Sequence, residues 1–142
     1  MSLDDVWLNK QELLTRSLAR IREEYHDNDS QVINNLTVQD SILLNLQRAC
    51  EVSIDLAMYV AAKERLGLPQ TSREAFTLLA QASIIPEMLA NELRNMVAFR
   101  NIAVDEYQKL KLDILIAILR TKLHNFTDYL DALRLHFTKA QP

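Results

Sequence analysis

Apolar side chains recur at every third or fourth position along most of this chain, the spacing that places them on one face of an α-helix. The first predicted helix runs from about Asp4 to Tyr25. After a stretch of turn-forming residues, a second opens at Thr37, where Asp40 completes a capping-box-like pattern, and continues to about Leu66. The first half of the chain is therefore predicted to form two long helices.

The second half of the chain predicts three further helices. Thr71 and Glu74 form another capping-box pattern, at the start of a short helix that reaches Ala80. Pro86 suits the first turn of a fourth helix, where its missing N–H costs nothing. A fifth helix is predicted to fill most of the remaining chain, because its apolar residues keep the helical period: Leu112, Leu115, Ile116, Leu119, Leu123, Phe126, Leu130, Leu133 and Phe137.

The composition agrees with an all-helical protein. Good helix formers dominate the 142 residues, whereas one glycine and three prolines are too few for the many tight turns of a β-sandwich or barrel. No repeat, low-complexity tract or long linker divides the chain. We therefore expect an all-α fold, a single-domain up-and-down bundle of about five helices over residues 1–142.

The second predicted helix is apolar on more than one side. One stripe is widened by further apolar positions around the helix: Ile42, Leu46, Ala49, Ala57 and Val60, then Leu43, Leu44, Cys50, Ile54, Leu56 and Ala61. A helix that is apolar nearly all round is either central in its own domain or shared with another chain. We favour a homodimer, with a central helix in a monomer as the alternative.

The charge balance limits the partners of this chain. A net charge of −3 and a pI near 5.6 make a monomer a poor general binder of nucleic acid, so any RNA contact must be local or built from two subunits. The single Cys50 cannot form an intramolecular disulfide, and no zinc-ligand spacing occurs. Neither a signal peptide nor an apolar run of the roughly 20 residues that a membrane helix needs is present, so we expect a soluble, cytoplasmic protein.

Arg100 is the first candidate for a functional role. It continues the inward stripe of the fourth predicted helix, which is otherwise apolar: Leu89, Leu93, Met96 and Val97. An arginine in this position must extend to solvent, pair with an acid or line a cleft. An ion pair with Asp55 or Glu51, buried or at a subunit interface, is the structural interpretation; a phosphate-binding role is the functional one.

Asp105 and Tyr107 follow Arg100 closely in sequence. Five residues along a continuous helix rotate a side chain by about 140°, so Arg100 and Asp105 can converge only if the helix ends or bends between them. Asp105, with Gln108 three residues on, is a plausible N-cap of the last helix, and an active-site role remains equally open. Tyr107 would then lie in the first turn, with an accessible hydroxyl.

The second predicted helix carries four polar residues at spacings of three and four: Asn45, Arg48, Glu51 and Asp55. They form either a buried network that supports the bundle or the dimer seam, or a set that orients Arg100. The three histidines, His26, His124 and His136, are scattered and lack partners in sequence.

Arg100 and the polar residues of the second predicted helix occur in runs that together resemble HepT-like proteins, the toxins of HepT–MntA toxin–antitoxin modules in the HEPN superfamily. The runs are DSILLNLQR at residues 40–48, continuing to Asp55, SREAFTLLA at residues 72–80, and MVAFRNIAV at residues 96–104. The match covers nearly the whole chain in order, spacing and length. It implies a HEPN-like, homodimeric ribonuclease that cuts tRNA or mRNA and needs no metal or other cofactor.

The resemblance also implies roles for individual residues. The family pattern is arginine, four residues, histidine, one residue and tyrosine; Arg100 and Tyr107 match it, and Asp105 replaces the histidine. In the family, a partner nucleotidyltransferase antitoxin silences the toxin by transferring AMP to the tyrosine, which here is Tyr107. Further supporting or RNA-contacting positions would be Asn101, Asn45, Arg48 and Asp55.

The replacement of histidine changes the expected chemistry. Metal-free RNA cleavage uses the 2′-hydroxyl as nucleophile and needs both a proton-transfer group of near-neutral pKa and a cation for the phosphorane charge. Arg100 can supply the cation, but an ionised aspartate donates protons poorly and repels phosphate. We therefore expect a weak or inactive nuclease that keeps its fold, dimer and partner binding. The alternative is a non-catalytic HEPN-fold adaptor or substrate-binding subunit of a nucleotidyltransferase.

Overall fold

A computed structural model describes the backbone of residues 2–105 and 112–139, and the side chains of residues 5–100 and 112–139. Every element in this part of the chain is helical, so the all-α prediction is confirmed. The helices, in chain order, are α1 (Ser2–Tyr25), α2 (Asp29–Asn34), α3 (Leu36–Lys63), α4 (Ser72–Gln81), α5 (Glu87–Asp105), α6 (Leu112–Thr121) and α7 (His124–Lys139).

Helix α3 lies at the centre of the bundle. It packs against α1, α2, α4 and α5, and α5 in turn packs against α4 and α7. Of the two apolar stripes predicted for it, only Leu44 is left substantially exposed, at 47%. Because helices of the same chain cover most of α3, its apolar character is explained within one protomer and does not by itself require a second copy.

Tyr129 of α7 connects three helices in the core. Its ring is fully buried and meets Phe76 of α4 in an edge-on contact, with ring centroids 5.8 Å apart. Its hydroxyl donates a hydrogen bond of 2.8 Å to the backbone carbonyl of Ser53 in α3. Burial raises the pKa of Tyr129 well above its usual value, so this hydroxyl stays protonated and keeps donating.

The start of α3 differs from the prediction. The N-cap is Asn35, whose side chain accepts from the Val38 N–H at 3.1 Å, and not Thr37, which lies inside the helix. The short helix α2 was not predicted, because its six residues are too few to show a period. The cap at Thr71 is confirmed: its hydroxyl accepts from the Glu74 N–H at 3.1 Å.

The predicted fifth helix is two helices in the structure. Helix α6 ends at Thr121 and α7 begins at His124, with a turn in which the Asn125 N–H donates to the Lys122 carbonyl at 3.1 Å. Leu123 within this turn remains buried, at 7% exposure. The apolar spacing therefore continues across the break, and periodicity alone could not reveal it. None of the helices in the described ranges is long and apolar enough to cross a membrane.

Candidate functional site

Arg100 forms an ion pair with Glu51, one of the two partners anticipated for it. The pair joins the last turns of α5 to the middle of α3, with Nη1 of the arginine donating to Oε1 of the glutamate. The Arg100 side chain retains 20% of its exposure and that of Glu51 50%. The guanidinium therefore lies at the rim of the core, within reach of solvent and of a ligand.

The floor beneath this pair is apolar. Met96 and Val97 are buried one turn before Arg100 on α5, and Cys50 is buried beside Glu51 on α3. The Cys50 thiol donates to the Met96 carbonyl at 3.7 Å, and burial raises its pKa to about 12 despite the nearby charge of Arg100. A thiol in this state is not a nucleophile at neutral pH, so the chemistry of the site depends on its charged groups.

Glu51 lies in the middle of the one face of α3 that is open to solvent. Leu44 precedes it by seven residues and Met58 follows it by seven, and positions seven apart lie within about 20° of each other around a helix. Leu44 is 47% exposed and Met58 38%. The ion pair with Arg100 is thus flanked by two accessible apolar side chains on a single surface, which we call the α3 face.

The remaining polar residues of α3 do not form one buried network. Asn45 is buried, and its amide donates to the Ser41 carbonyl of the same helix at 2.9 Å. Asp55 is exposed and pairs with Lys10 of α1 at 3.1 Å, while Arg48 is exposed. Within one protomer the four residues therefore do not share one buried network, whereas Glu51 pairs with Arg100, as the second interpretation expected.

The second half of the predicted motif is described only in part. Asn101 and Asp105 lie in α5, whose described part runs to Asp105, so the helix does not end between Arg100 and Asp105. The side chains of both residues, and Tyr107 entirely, lie outside the described residues. The N-cap predicted at Asp105 involves backbone N–H groups of residues 106–108, which lie outside the described residues, so it stays a prediction.

A groove between α1 and α3 was missed by the sequence interpretation. It has a volume of about 540 Å³, and its walls include Arg16, Ser17, Arg20, Glu23, Asn45 and Arg48. Arg16 is a single exposed residue of an amphipathic helix, and no local pattern distinguishes it from other surface arginines. Only the packing of α1 on α3 places it opposite Arg48.

A cleft of about 700 Å³ lies elsewhere, between α5 and α7, and is lined by Leu89 and Asn125 among others. Leu89 is eleven residues from Arg100 along α5, or about 16 Å by helical rise. This cleft is mostly apolar, and Arg100 is not among the described residues that line it. We therefore place the candidate site at Arg100, where a fixed cation meets solvent, in preference to this larger cleft.

Comparison with known proteins identifies relatives along nearly the whole chain. The mRNA nuclease HepT of Shewanella oneidensis is 42% identical over 132 residues, which cover 93% of this chain and 98% of the relative. The structure of a tri-AMPylated Shewanella oneidensis HEPN toxin in complex with MNT antitoxin superposes with a TM-score of 0.88 at 41% identity. That match covers 92% of this chain and 98% of the toxin.

A more distant likeness supports the fold alone. YutE, a cytosolic protein of unknown function from Bacillus subtilis, superposes with a TM-score of 0.73 at 15% identity, covering 93% of this chain and 94% of YutE.

The profile of the family described as Ribonuclease HepT-like matches residues 14–133, which include α3 and the Arg100 region. This match and the close relative place the chain in the HepT-like ribonuclease family.

Proposed function

We propose that this chain is the toxin of a toxin–antitoxin module, a cytoplasmic, metal-independent RNA endonuclease held in check by a partner nucleotidyltransferase. The observation that carries the proposal is the solvent-accessible Arg100 guanidinium, fixed by Glu51 in a chain of the HepT-like family. The name of the 42% identical relative, an mRNA nuclease, favours mRNA over tRNA as substrate.

Arg100 would bind the scissile phosphate and stabilise the negative charge that develops on the phosphorane. A guanidinium suits this task because it is permanently charged and can donate two parallel hydrogen bonds to phosphate oxygens. Glu51 holds the side chain in one orientation before RNA arrives. Of the other candidates on α3, Arg48 keeps an RNA-contacting role in this proposal, whereas Asn45 and Asp55 would act only by supporting the helix and its contact with α1.

A homodimer would bring two such sites together. The α3 face carries the Arg100–Glu51 pair between Leu44 and Met58, so pairing this surface with its copy would bury both apolar side chains. The two guanidinium groups would then lie near the two-fold axis. Two cations facing one cleft would let a chain of net charge −3 hold RNA locally.

Asp105 limits the activity that we expect from the chain as it stands. Histidine at this position could both accept the proton of the 2′-hydroxyl and donate one to the leaving oxygen, because its pKa lies near neutrality. Aspartate can at most accept, and its charge opposes the approach of phosphate. We propose that the chain with Asp105 is a weak or inactive nuclease. Asn101 would still support the site or contact RNA, and Tyr107 would still accept AMP.

Restoring the histidine tests the nuclease assignment. Asp105→His should raise cleavage of a fluorescently labelled RNA by about 10²-fold or more, the usual contribution of a general acid–base group, and should slow bacterial growth. Adding Arg100→Ala should remove both effects, whereas adding Arg73→Ala, an exposed arginine on α4, should leave them. If Asp105→His cleaves no RNA when the partner is absent, the chain is not a nuclease of this kind.

The second candidate function is the non-catalytic adaptor or substrate-binding subunit, and Asp105 is the observation that favours it. The two differ in covalent chemistry with the transferase. A toxin should gain one or more AMP units on Tyr107 after co-expression with the partner and ATP, seen by mass spectrometry and lost in Tyr107→Phe. An adaptor would form the complex without that gain in mass.

A further inference from the structure

The groove between α1 and α3, named here the α1–α3 groove, runs directly toward the candidate site. A shallower depression of about 280 Å³ shares Ser17 and Arg48 with the groove and extends to Glu51. Glu51 is the residue that pairs with Arg100. On one protomer, the groove and the depression therefore form one continuous path that ends at the edge of the α3 face, where the proposed dimer would place the Arg100–Glu51 pair.

The arginines along this path differ in whether a carboxylate pairs with them. Arg20 shares its charge with Glu23 and Glu24, at 3.5 and 3.6 Å. Arg16 and Arg48 are exposed and have no ion-pair partner among the residues whose side chains the structure describes. Two guanidinium groups that pair with no carboxylate among the described side chains thus face a single groove in a protein whose overall charge is −3. Such a local excess of cations attracts a polyanion.

We infer that the α1–α3 groove binds the sugar–phosphate backbone of single-stranded RNA on its way to Arg100, with Arg16 and Arg48 each contacting a phosphate. The inference rests on the proposed nuclease function and extends it by an RNA-binding path outside the motif. A groove with positive walls that follows the strand is the usual arrangement for binding single-stranded nucleic acid.

The types of residue that line the groove also indicate which parts of the RNA it would contact. None of the groove residues in the described ranges is aromatic, so bases would not stack there. Contacts from arginine to phosphate carry no sequence information. The groove would therefore contribute affinity equally to all sequences, and any sequence preference would arise closer to Arg100.

The test is the binding of a 2′-O-methylated RNA oligonucleotide, which cannot be cleaved because its nucleophile is blocked. Fluorescence anisotropy over a series of salt concentrations compares the native chain with Arg16→Gln/Arg48→Gln. We expect affinity to fall about 25-fold at 0.1 M salt, and the slope of log K against log salt to become about 1.4 smaller in magnitude, for two lost phosphate contacts.

The matched control is Arg65→Gln/Arg73→Gln, which removes two exposed arginines outside the groove. Its affinity should stay within about twofold of the native value, because neither side chain lines the groove or the depression and exposed charges that contact no phosphate are largely screened at this salt. All four arginines are exposed, so the fold should persist, and circular dichroism checks this.

The other outcomes separate the two proposals. If both double variants bind like the native chain while Arg100→Ala weakens binding, the groove inference is overturned and the proposed function stands. If the native chain binds no RNA at all, the proposed function fails and the groove inference with it. If the groove variant keeps its RNA affinity but loses its dimer or its complex with the transferase, the groove is a protein-contact surface and the inference is wrong.

Discussion

Arg100 and Tyr129 show how burial determines what a polar side chain does in this bundle. Arg100 continues an apolar stripe, and its long side chain lets the charge reach the rim, where Glu51 and solvent share it. Tyr129 is fully buried, so its hydroxyl needs a hydrogen-bond acceptor within the core, and it donates to the Ser53 carbonyl. One residue is therefore available to a ligand, and the other serves stability.

Tyr129→Phe tests the structural role of the buried hydroxyl. The change removes the donor to the Ser53 carbonyl and should lower the free energy of unfolding by about 1 kcal/mol, measured by urea denaturation at neutral pH. The phenylalanine keeps the ring packed on Phe76, so the measured loss reports the hydrogen bond. A truncation such as Leu130→Ala would instead add the cost of a cavity. An unchanged unfolding free energy would show that the hydrogen bond contributes nothing net.

The same residue gives a dependence on alkaline pH. The pKa of Tyr129 is raised in the folded state relative to the usual 10.0, so the unfolded chain loses this proton first. Its stabilising contribution is complete below about pH 10 and declines as the pH rises toward the folded pKa. Tyr129→Phe should therefore lose less stability than the native chain between pH 9 and about pH 11, measured by thermal unfolding.

At the scale of elements, α3 positions the candidate site. It is covered on most sides by its own chain, and only the α3 face, with Leu44, Glu51 and Met58, remains open. The packing of α5 against α3 places Arg100 beside Glu51, and the packing of α1 places Arg16 beside Arg48. The Arg100–Glu51 pair and the α1–α3 groove therefore both depend on where α3 begins and how it is rotated about its axis.

The start of α3 can be tested at its N-cap. Asn35→Ala should lower the free energy of unfolding by about 1 kcal/mol, because the Val38 N–H loses its side-chain acceptor. Thr37→Ala is the matched control, since Thr37 lies within the first turn and no cap bond depends on it. Equal losses in urea denaturation for the two variants would contradict the assignment of Asn35 as the cap.

At the scale of the whole molecule, we propose that two copies of the chain associate through the α3 face. The α3 face presents accessible apolar side chains on both sides of the Arg100–Glu51 pair, which suits a self-complementary interface. A dimer built there would place four arginines, two Arg48 and two Arg100, around one cleft. The homodimer is our proposal, and it follows from this surface more directly than from the apolar interior of α3.

Sedimentation measures the proposed dimer. The native chain should have about twice the 16.4 kDa mass of one protomer. Leu44→Glu/Met58→Glu should shift the mass toward one protomer, because each copy would bring two charges into the apolar seam. The control Leu68→Glu/Met88→Glu alters a leucine and a methionine that are 82% and 83% exposed elsewhere, and should not change the mass. A native mass of one protomer would contradict the proposal.

The local pattern of the chain determined α1, α3, α4 and α5, the buried stripe that leads to Arg100 and the choice of Glu51 as one of two partners for it, because helical period and burial are readable over short distances. Sequence alone also revealed the family resemblance that the comparisons confirm. Only the tertiary structure decided that α6 and α7 are separate, that Asp55 pairs with Lys10, and that Arg16 lies across a groove from Arg48. These facts depend on which helices become neighbours, and such contacts join residues far apart in the chain that no local spacing connects.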